Sequence, residues 1–214
     1  MNRTILALAL GLATLSATAQ DWGWRDNGNT RNRRTLLGRG ADVSAFGSVL
    51  LDLGTTAGEF GTGVGGGGAL MFDNVFFVGG YGMGLSGNIA PELGEGLSGT
   101  AALDYRHGGF WAGVNLLPSF PVHPVISARM GWGRAELTDD GTGGLFAATG
   151  LERARDNFFI VTPSAGLEAN LTDWFTIRAE YGYRFFNGLA LPGFAETGLD
   201  GQFATVSFNF GGFD

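Results

Sequence analysis

From Trp174 to Phe185 the chain alternates in character. Phe175, Ile177, Ala179, Tyr181, Tyr183 and Phe185 fall on one face of an extended segment, and Thr176, Arg178, Glu180, Gly182 and Arg184 on the other. A period of two with one apolar face is the mark of a β-strand. The pattern recurs along the chain. Val161, Pro163, Ala165, Leu167 and Ala169 oppose Thr162, Ser164, Gly166, Glu168 and Asn170. Pro124, Ile126, Ala128, Met130 and Trp132 oppose Ser127, Arg129, Gly131 and Gly133, and Ala204, Val206, Phe208 and Phe210 oppose Phe203, Thr205, Ser207 and Asn209. Near the start, Val75, Phe77, Gly79, Tyr81, Met83 and Leu85 share a parity, and their apolar character assigns them to the outward face. Eight strands are expected, near 41–53, 59–72, 75–87, 103–117, 122–135, 157–171, 174–186 and 201–213.

The connections alternate in length. Tight turns fall at Asp73-Asn74, Pro118–Pro121 and Thr172-Asp173, whereas 88–102, 136–156 and 187–200 are long, Gly-rich and polar; only the hairpin through Gly54–Gly58 is short on the long-loop side. Short turns at one end and long loops at the other characterise transmembrane β-barrels of the outer membrane. A soluble barrel of lipocalin type would show the same alternation with its greasy face inward. The membrane orientation is preferred because Arg129, Glu168, Arg178, Glu180 and Arg184 share their face with glycines and small hydroxyl residues, as a narrow packed lumen requires. Each run is long enough to cross, since about 9 to 11 tilted residues span the hydrocarbon layer. Strand amides in lipid must all pair, so the sheet must close. The expected fold is therefore all-β, a closed antiparallel up-and-down transmembrane barrel of eight strands, with ten possible if 88–107 adds a hairpin. Trp132, Trp174, Tyr181 and Tyr183 are expected to form an aromatic girdle at the head-group level.

The N-terminus fits an exported protein. Arg3, the apolar run from Ile5 to Leu15 and the step Ala17-Thr18-Ala19 predict a signal peptide over 1–19. Residues 20–40 hold Arg25, Arg31, Arg33, Arg34 and Arg39 without periodicity, and are expected to be a basic flexible periplasmic leader or an arm for phosphate head groups. The barrel occupies 41–214. All 13 basic residues are arginine against 20 acids, for a net charge of −7, so nucleic acid is not an expected partner. Without cysteine, disulfides and thiolate metal sites are excluded. The 39 glycines would suggest disorder by number alone, but here they interleave with aromatics at strand period.

Phe203-Ala204-Thr205-Val206-Ser207-Phe208-Asn209-Phe210 forms an aromatic-rich last strand. With the eight alternating runs it makes the chain resemble small outer-membrane barrels of the OmpA/OmpX type, in which such a strand is the insertion signal; here the chain ends Gly211-Gly212-Phe213-Asp214 rather than on a terminal Phe. Gly58-Glu59-Phe60-Gly61, Gly65–Gly68, Asp73 through Gly82, Gly108-Gly109-Phe110-Trp111 and Val122-His123-Pro124 are most similar to an uncharacterised family of exported β-barrel proteins. The resemblance implies a fold, an outer-membrane location and handling by the barrel-assembly machinery. It implies no activity.

An eight-stranded barrel has an interior just wide enough for side chains to fill. Arg129, Arg178 and Arg184 are expected to pair there with Glu168 and Glu180 in an ion network that plugs the lumen. An enzyme would need a base beside a nucleophile or activated water. His107 with Asp104 is conceivable, but no serine clearly belongs to it; His123 and Ser127 share a face at roughly 13 Å, too far for a hydrogen bond. Asp139-Asp140-Gly141 lacks the spaced ligands of a calcium loop. Gly61–Gly68 lacks the Lys-Ser/Thr and helix of a phosphate loop, and suits close packing instead. No catalytic residue, metal or cofactor is expected. The expected role is structural or interactional, with acidic loops meeting lipopolysaccharide, outer-membrane lipid or a surface ligand; a narrow channel is the alternative, and a lipid-modifying or proteolytic enzyme the third.

Overall fold

A computed structural model describes residues 42–56, 59–89, 101–139, 153–189 and 199–213. They form eight strands: β1 (Val43–Thr56), β2 (Glu59–Phe72), β3 (Phe76–Ile89), β4 (Ala101–Asn115), β5 (Val122–Asp139), β6 (Arg153–Thr172), β7 (Phe175–Asn187) and β8 (Gly201–Gly211). Each pairs antiparallel with the next, and β1 pairs with β8 from Phe46↔Gly211 to Gly54↔Phe203. That last ladder closes the ring at eight strands, which settles the ten-strand alternative. The expected signal peptide (1–19), leader (20–40), the hairpin tip at 57–58 and the loop segments 90–100, 140–152 and 190–198 lie outside the described residues.

Turn chemistry sets one rim. Asp73 and Asn74 hold φ of 51° and 54°, the left-handed region that Asp and Asn tolerate best, and Val75 N–H donates to Phe72 O at 2.9 Å. At this rim the Asp42 amide donates to Asp73 Oδ1 at 2.9 Å, and Phe213 N–H donates to Asp173 O at 3.0 Å, so both ends of the described barrel are tied to turns. At the opposite rim the strands run further than their apolar pattern. β5 and β6 stay paired through Glu136↔Arg155 and Thr138↔Arg153, and β4 begins opposite Ile89 at Ala101, so the expected loops 136–156 and 88–102 are partly ladder. The reason is that alternation reports the medium outside, whereas the ladder needs only a neighbour. Above Trp132 the outward positions turn polar, with Arg134 and Glu136, while Ala135 remains fully buried.

The outward face carries a charge-free belt. Between Val122 and Trp132 on β5, Phe159 and Leu171 on β6, and Phe175 and Phe185 on β7, no outward position is charged. Many of its large side chains are exposed, among them Val64, Ile126, Leu167 and Phe185. In water such a surface would be a severe aggregation liability. As a lipid-facing band it is what a spanning barrel needs. Among the described residues no helix is long and apolar enough to cross a membrane. The facing expected for β5 to β8 is the facing observed. For β3 it is reversed: Phe77, Tyr81, Met83 and Leu85 are buried inside, and Phe76 and Val78 face outward.

The reversal follows from strand pairing. Leu85, Met83 and Tyr81 sit directly opposite Gly63, Gly65 and Gly67 of β2, and Tyr81 also faces Gly109 of β4. A Cβ at Gly65 would stand 2.5 Å from Met83 Cγ, and one at Gly63 would run into Leu85 Cγ. Phe77 faces Gly113, and Trp111 faces Gly79. Large side chains therefore enter the lumen where the neighbouring strand supplies none, which is how a small barrel fills a fixed cross-section.

Candidate functional site: the barrel interior

The interior is layered along the barrel axis. At the turn end, Phe46, Phe77 and Trp111 pack edge to face, with centroids 5.1–5.9 Å apart. Arg178 lies above them, its guanidinium carbon 4.5 Å from the Phe77 centroid and 5.5 Å from Trp111. Its Nε donates to Glu168 Oε2 at 2.7 Å, and Nη2 stands 2.6 Å from the same oxygen. Cross-strand register places Glu168 directly opposite Arg178 and also opposite His123. His123 Nε2 is 3.5 Å from Glu168 Oε1, and its Nδ1 lies 3.1 Å from Phe120 O. Asn209 Nδ2 adds a bond to Glu168 at 3.3 Å. A small polar cavity of about 20 Å³, the size of a single water, opens beside this group between His123, Asn115, Glu168 and Asn170.

The middle layer is built on Asp52. Arg184 Nη2 donates to Asp52 Oδ2 at 2.9 Å, Thr205 Oγ1 donates to Asp52 Oδ1 at 2.6 Å, and Arg129 Nη2 is 3.9 Å from Oδ2. Arg129 also donates to Thr205 Oγ1 and to Met83 Sδ, each at 3.0 Å. Both guanidinium groups stack against Phe203, at 5.1 and 4.9 Å. Glu180 is held by hydroxyls: Ser127 and Ser164 donate to its Oε1 at 2.6 and 3.1 Å. Toward the loop end, Leu103, Tyr105, Phe158, Ile160 and Phe186 form an apolar cap, within which Tyr81 Oη meets His107 Nδ1 at 3.0 Å.

Arg129, Glu168, Arg178, Glu180 and Arg184, expected as one network, are all buried in the lumen, but Glu168 holds Arg178, Arg129 and Arg184 meet at Asp52, and Glu180 stands with serines. Asp52, only 1% exposed, is the acid that the sequence reading missed, and Glu180 binds serines where an arginine was expected. The signal was weak because Asp52 stands in a strand whose lumen parity also holds Leu50 and whose lipid parity holds Val49, Leu51 and Leu53. Among the buried Asp, Glu and Arg side chains described, Asp52, Glu168 and Glu180 offset Arg129, Arg178 and Arg184 one for one. Charges this deep require such compensation, because an uncompensated one costs several kcal/mol, about 3 to 5 when a partner is removed.

The conceivable pairing of His107 with Asp104 does not form. The two lie three residues apart on one strand, so His107 faces the lumen and Asp104 the outside. Ser127 and His123 share the lumen face, but Ser127 is bonded to Glu180, and His123 bonds the Phe120 carbonyl through Nδ1 with its Nε2 3.5 Å from Glu168. No group of three or more His, Asp or Glu positioned for a metal occurs among the described residues. Trp132, Trp174, Tyr181 and Tyr183 all face outward. Trp174 lies at the turn rim, Trp132 packs on Phe159 near the loop rim with centroids 5.4 Å apart, and Tyr181 Oη donates to Gln202 at 2.6 Å.

A solved structure shares this architecture, and others resemble it less. Neisserial surface protein A superposes with a TM-score of 0.54 at 11% identity, covering 80% of this chain and 98% of that one. Ail of Yersinia pestis, in complex with a heparin analogue, gives 0.44 at 15% identity over 80% and 97%. The outer membrane protein AlkL gives 0.36 at 12% identity over 87% and 96%. At these identities the likeness concerns the fold alone. No curated protein matches the chain in sequence. The family model of the outer membrane protein beta-barrel domain matches residues 5–211, nearly the whole chain. Eight closed strands, a charge-free outward belt and that match together place the chain in the outer membrane protein β-barrel domain family, and in the outer membrane.

Proposed function

We propose that the protein works as a non-conducting outer-membrane barrel, supporting the membrane and presenting its acidic loops to a partner outside the cell. The observation that carries this reading is the filled lumen. Arg178, Arg184, Trp111, Phe77 and Phe203 are fully buried across its section, and each guanidinium is fixed by a carboxylate and by aromatic faces. An ion crossing the barrel would have to displace paired, desolvated charges and then pass the apolar cap of Tyr105, Phe158 and Phe186. The loop sequences supply the interactional half: Glu92 and Glu95, then Asp139 and Asp140, then Glu196 and Asp200 give each long connection acidic groups.

Planar-bilayer recording tests the reading. The intact protein is expected to give no steady single-channel conductance, and Arg129→Ala/Arg184→Ala, which empties the middle layer, is expected to give measurable events. Steady conductance from the intact barrel would replace this reading with that of a narrow channel for small solutes. The number of buried polar side chains on the lumen face, Glu168, Glu180 and Asp52 among them, is the observation that favours that second reading. Catalysis has less support, since each histidine is engaged by Tyr81 or Glu168 without a free nucleophile beside it. His107→Ala and His123→Ala are expected to leave lipid A hydrolysis and protease readouts unchanged.

A further inference from the structure

On the outward face, one residue step above the charge-free belt, the register sets Arg106 of β4 directly opposite Arg134 of β5. Both are exposed. Like charges directly opposite on neighbouring strands, with Cβ atoms about 5 Å apart, destabilise a sheet. Among the described residues, none on their own level offsets them. Arg106 is flanked by Gly84 of β3 and Arg134 by Asn157 of β6. Arg134 Nε donates to Asn157 Oδ1 at 3.3 Å, a neutral acceptor that orients the guanidinium without cancelling its charge. Carboxylates come one level further out: Asp104 and Glu136 lie two residues along, roughly 7 Å toward water, and Glu136 is engaged by Arg155 at 3.1 Å. The level below is apolar, formed by Gly108, Trp132 and Phe159. Trp132 is 62% exposed to the surrounding medium.

We propose that Arg106 and Arg134 form a binding site for a phosphate group of an outer-leaflet lipid headgroup. The long-loop rim faces the cell exterior in barrels of this class, so the pair stands where acyl chains give way to headgroups. Trp132, Phe159 and the bare backbone at Gly82 and Gly108 offer the acyl chains a surface directly beneath the phosphate. Two guanidinium groups suit a phosphate monoester, which accepts bidentate, charge-assisted bonds from each. A bound dianion turns the repulsive pair into a bridged one. The site depends only on how the barrel sits in the membrane and not on what the loops bind, so it stands or falls separately from the role proposed above.

The test uses the full barrel in dodecyl maltoside micelles, which carry no phosphate, titrated with diphosphoryl lipid A or with its fully dephosphorylated form. Bound lipid is read by native mass spectrometry, and stability by the unheated-to-heated gel transition. Diphosphoryl lipid A is expected to bind the native protein at least tenfold more tightly than Arg106→Gln/Arg134→Gln, and the dephosphorylated lipid to bind both equally weakly. Without lipid, the double variant should be at least as heat-resistant as the native barrel, because the repulsion is gone. Equal affinity of both proteins for diphosphoryl lipid A, or equal binding of the two lipids by the native protein, overturns the proposal. Full displacement of the lipid by millimolar inorganic phosphate would assign the pair to a free anion, and so would overturn it as well.

Discussion

Asp52 anchors the middle layer of the lumen, since Arg184, Arg129 and Thr205 converge on it. Asp52→Asn removes the counter-charge while preserving shape, and is expected to lower unfolding stability by about 3 to 5 kcal/mol, the cost of leaving a buried cation unpaired. Urea unfolding in micelles checks this. A loss below about 1 kcal/mol would mean that the Phe203 face and Thr205 suffice to hold the arginines. Glycines give a second contrast. A Cβ at Gly79 would run into the Gly68 carbonyl oxygen and Ala69 Cα, whereas one at Gly82 has nothing within 4 Å. Gly79→Ala should therefore cost about 1 to 3 kcal/mol as backbone is forced apart, and Gly82→Ala should stay within about 0.5 kcal/mol. The role of glycine in close packing was legible in the Gly61–Gly68 run; which glycine meets backbone and which meets lipid was not.

At the scale of the strand, period two divides every element into two faces, but only a difference in polarity says which face is the lumen. β7 declares itself, because Arg178, Glu180 and Arg184 share one parity and Ile177, Tyr181 and Phe185 the other. β3 has no charged residue on either parity, so its alternation alone points its large residues to lipid, whereas their partners Gly63, Gly65 and Gly67 draw them inward. The belt provides a direct test of facing. Ala165, midway along the belt portion of β6 and exposed outward, should tolerate arginine poorly, with a loss of about 2 to 4 kcal/mol at mid-membrane depth, whereas Gln202→Arg near the loop rim should cost about 0 to 1 kcal/mol. Unfolding of both variants from phosphatidylcholine bilayers would show it. Equal costs at the two depths would contradict the belt.

As a whole, the molecule has no free sheet edge among its described strands, because the β1–β8 ladder closes the ring. Closure inside a low-dielectric medium makes opening one strand cost every hydrogen bond it shares with two neighbours. The unheated, detergent-extracted protein should therefore migrate faster on a gel than the boiled protein, as a compact barrel that withstands detergent. Identical mobility, with the protein recovered as a soluble species, would contradict the membrane-spanning reading. Interior and exterior divide the work of this assembly. Balanced charges and aromatic layers fill the axis, while the belt and the arginine pair above it face the membrane.

Sequence alone points to an antiparallel barrel of eight strands with ten left open, to the outer membrane through its connection lengths and the polar face of its strands, and to five of the buried charged residues. These are local or periodic properties, and a period of two survives any register. Tertiary structure alone decided that Asp52 faces Arg184, that Glu168 and Glu180 belong to different groups, that β3 turns its bulk inward, and that Arg106 stands beside Arg134. Each of these depends on the stagger between strands distant in sequence. Stagger is set by ring closure and by the fit of large side chains against glycine across neighbouring strands, and no single strand contains that information.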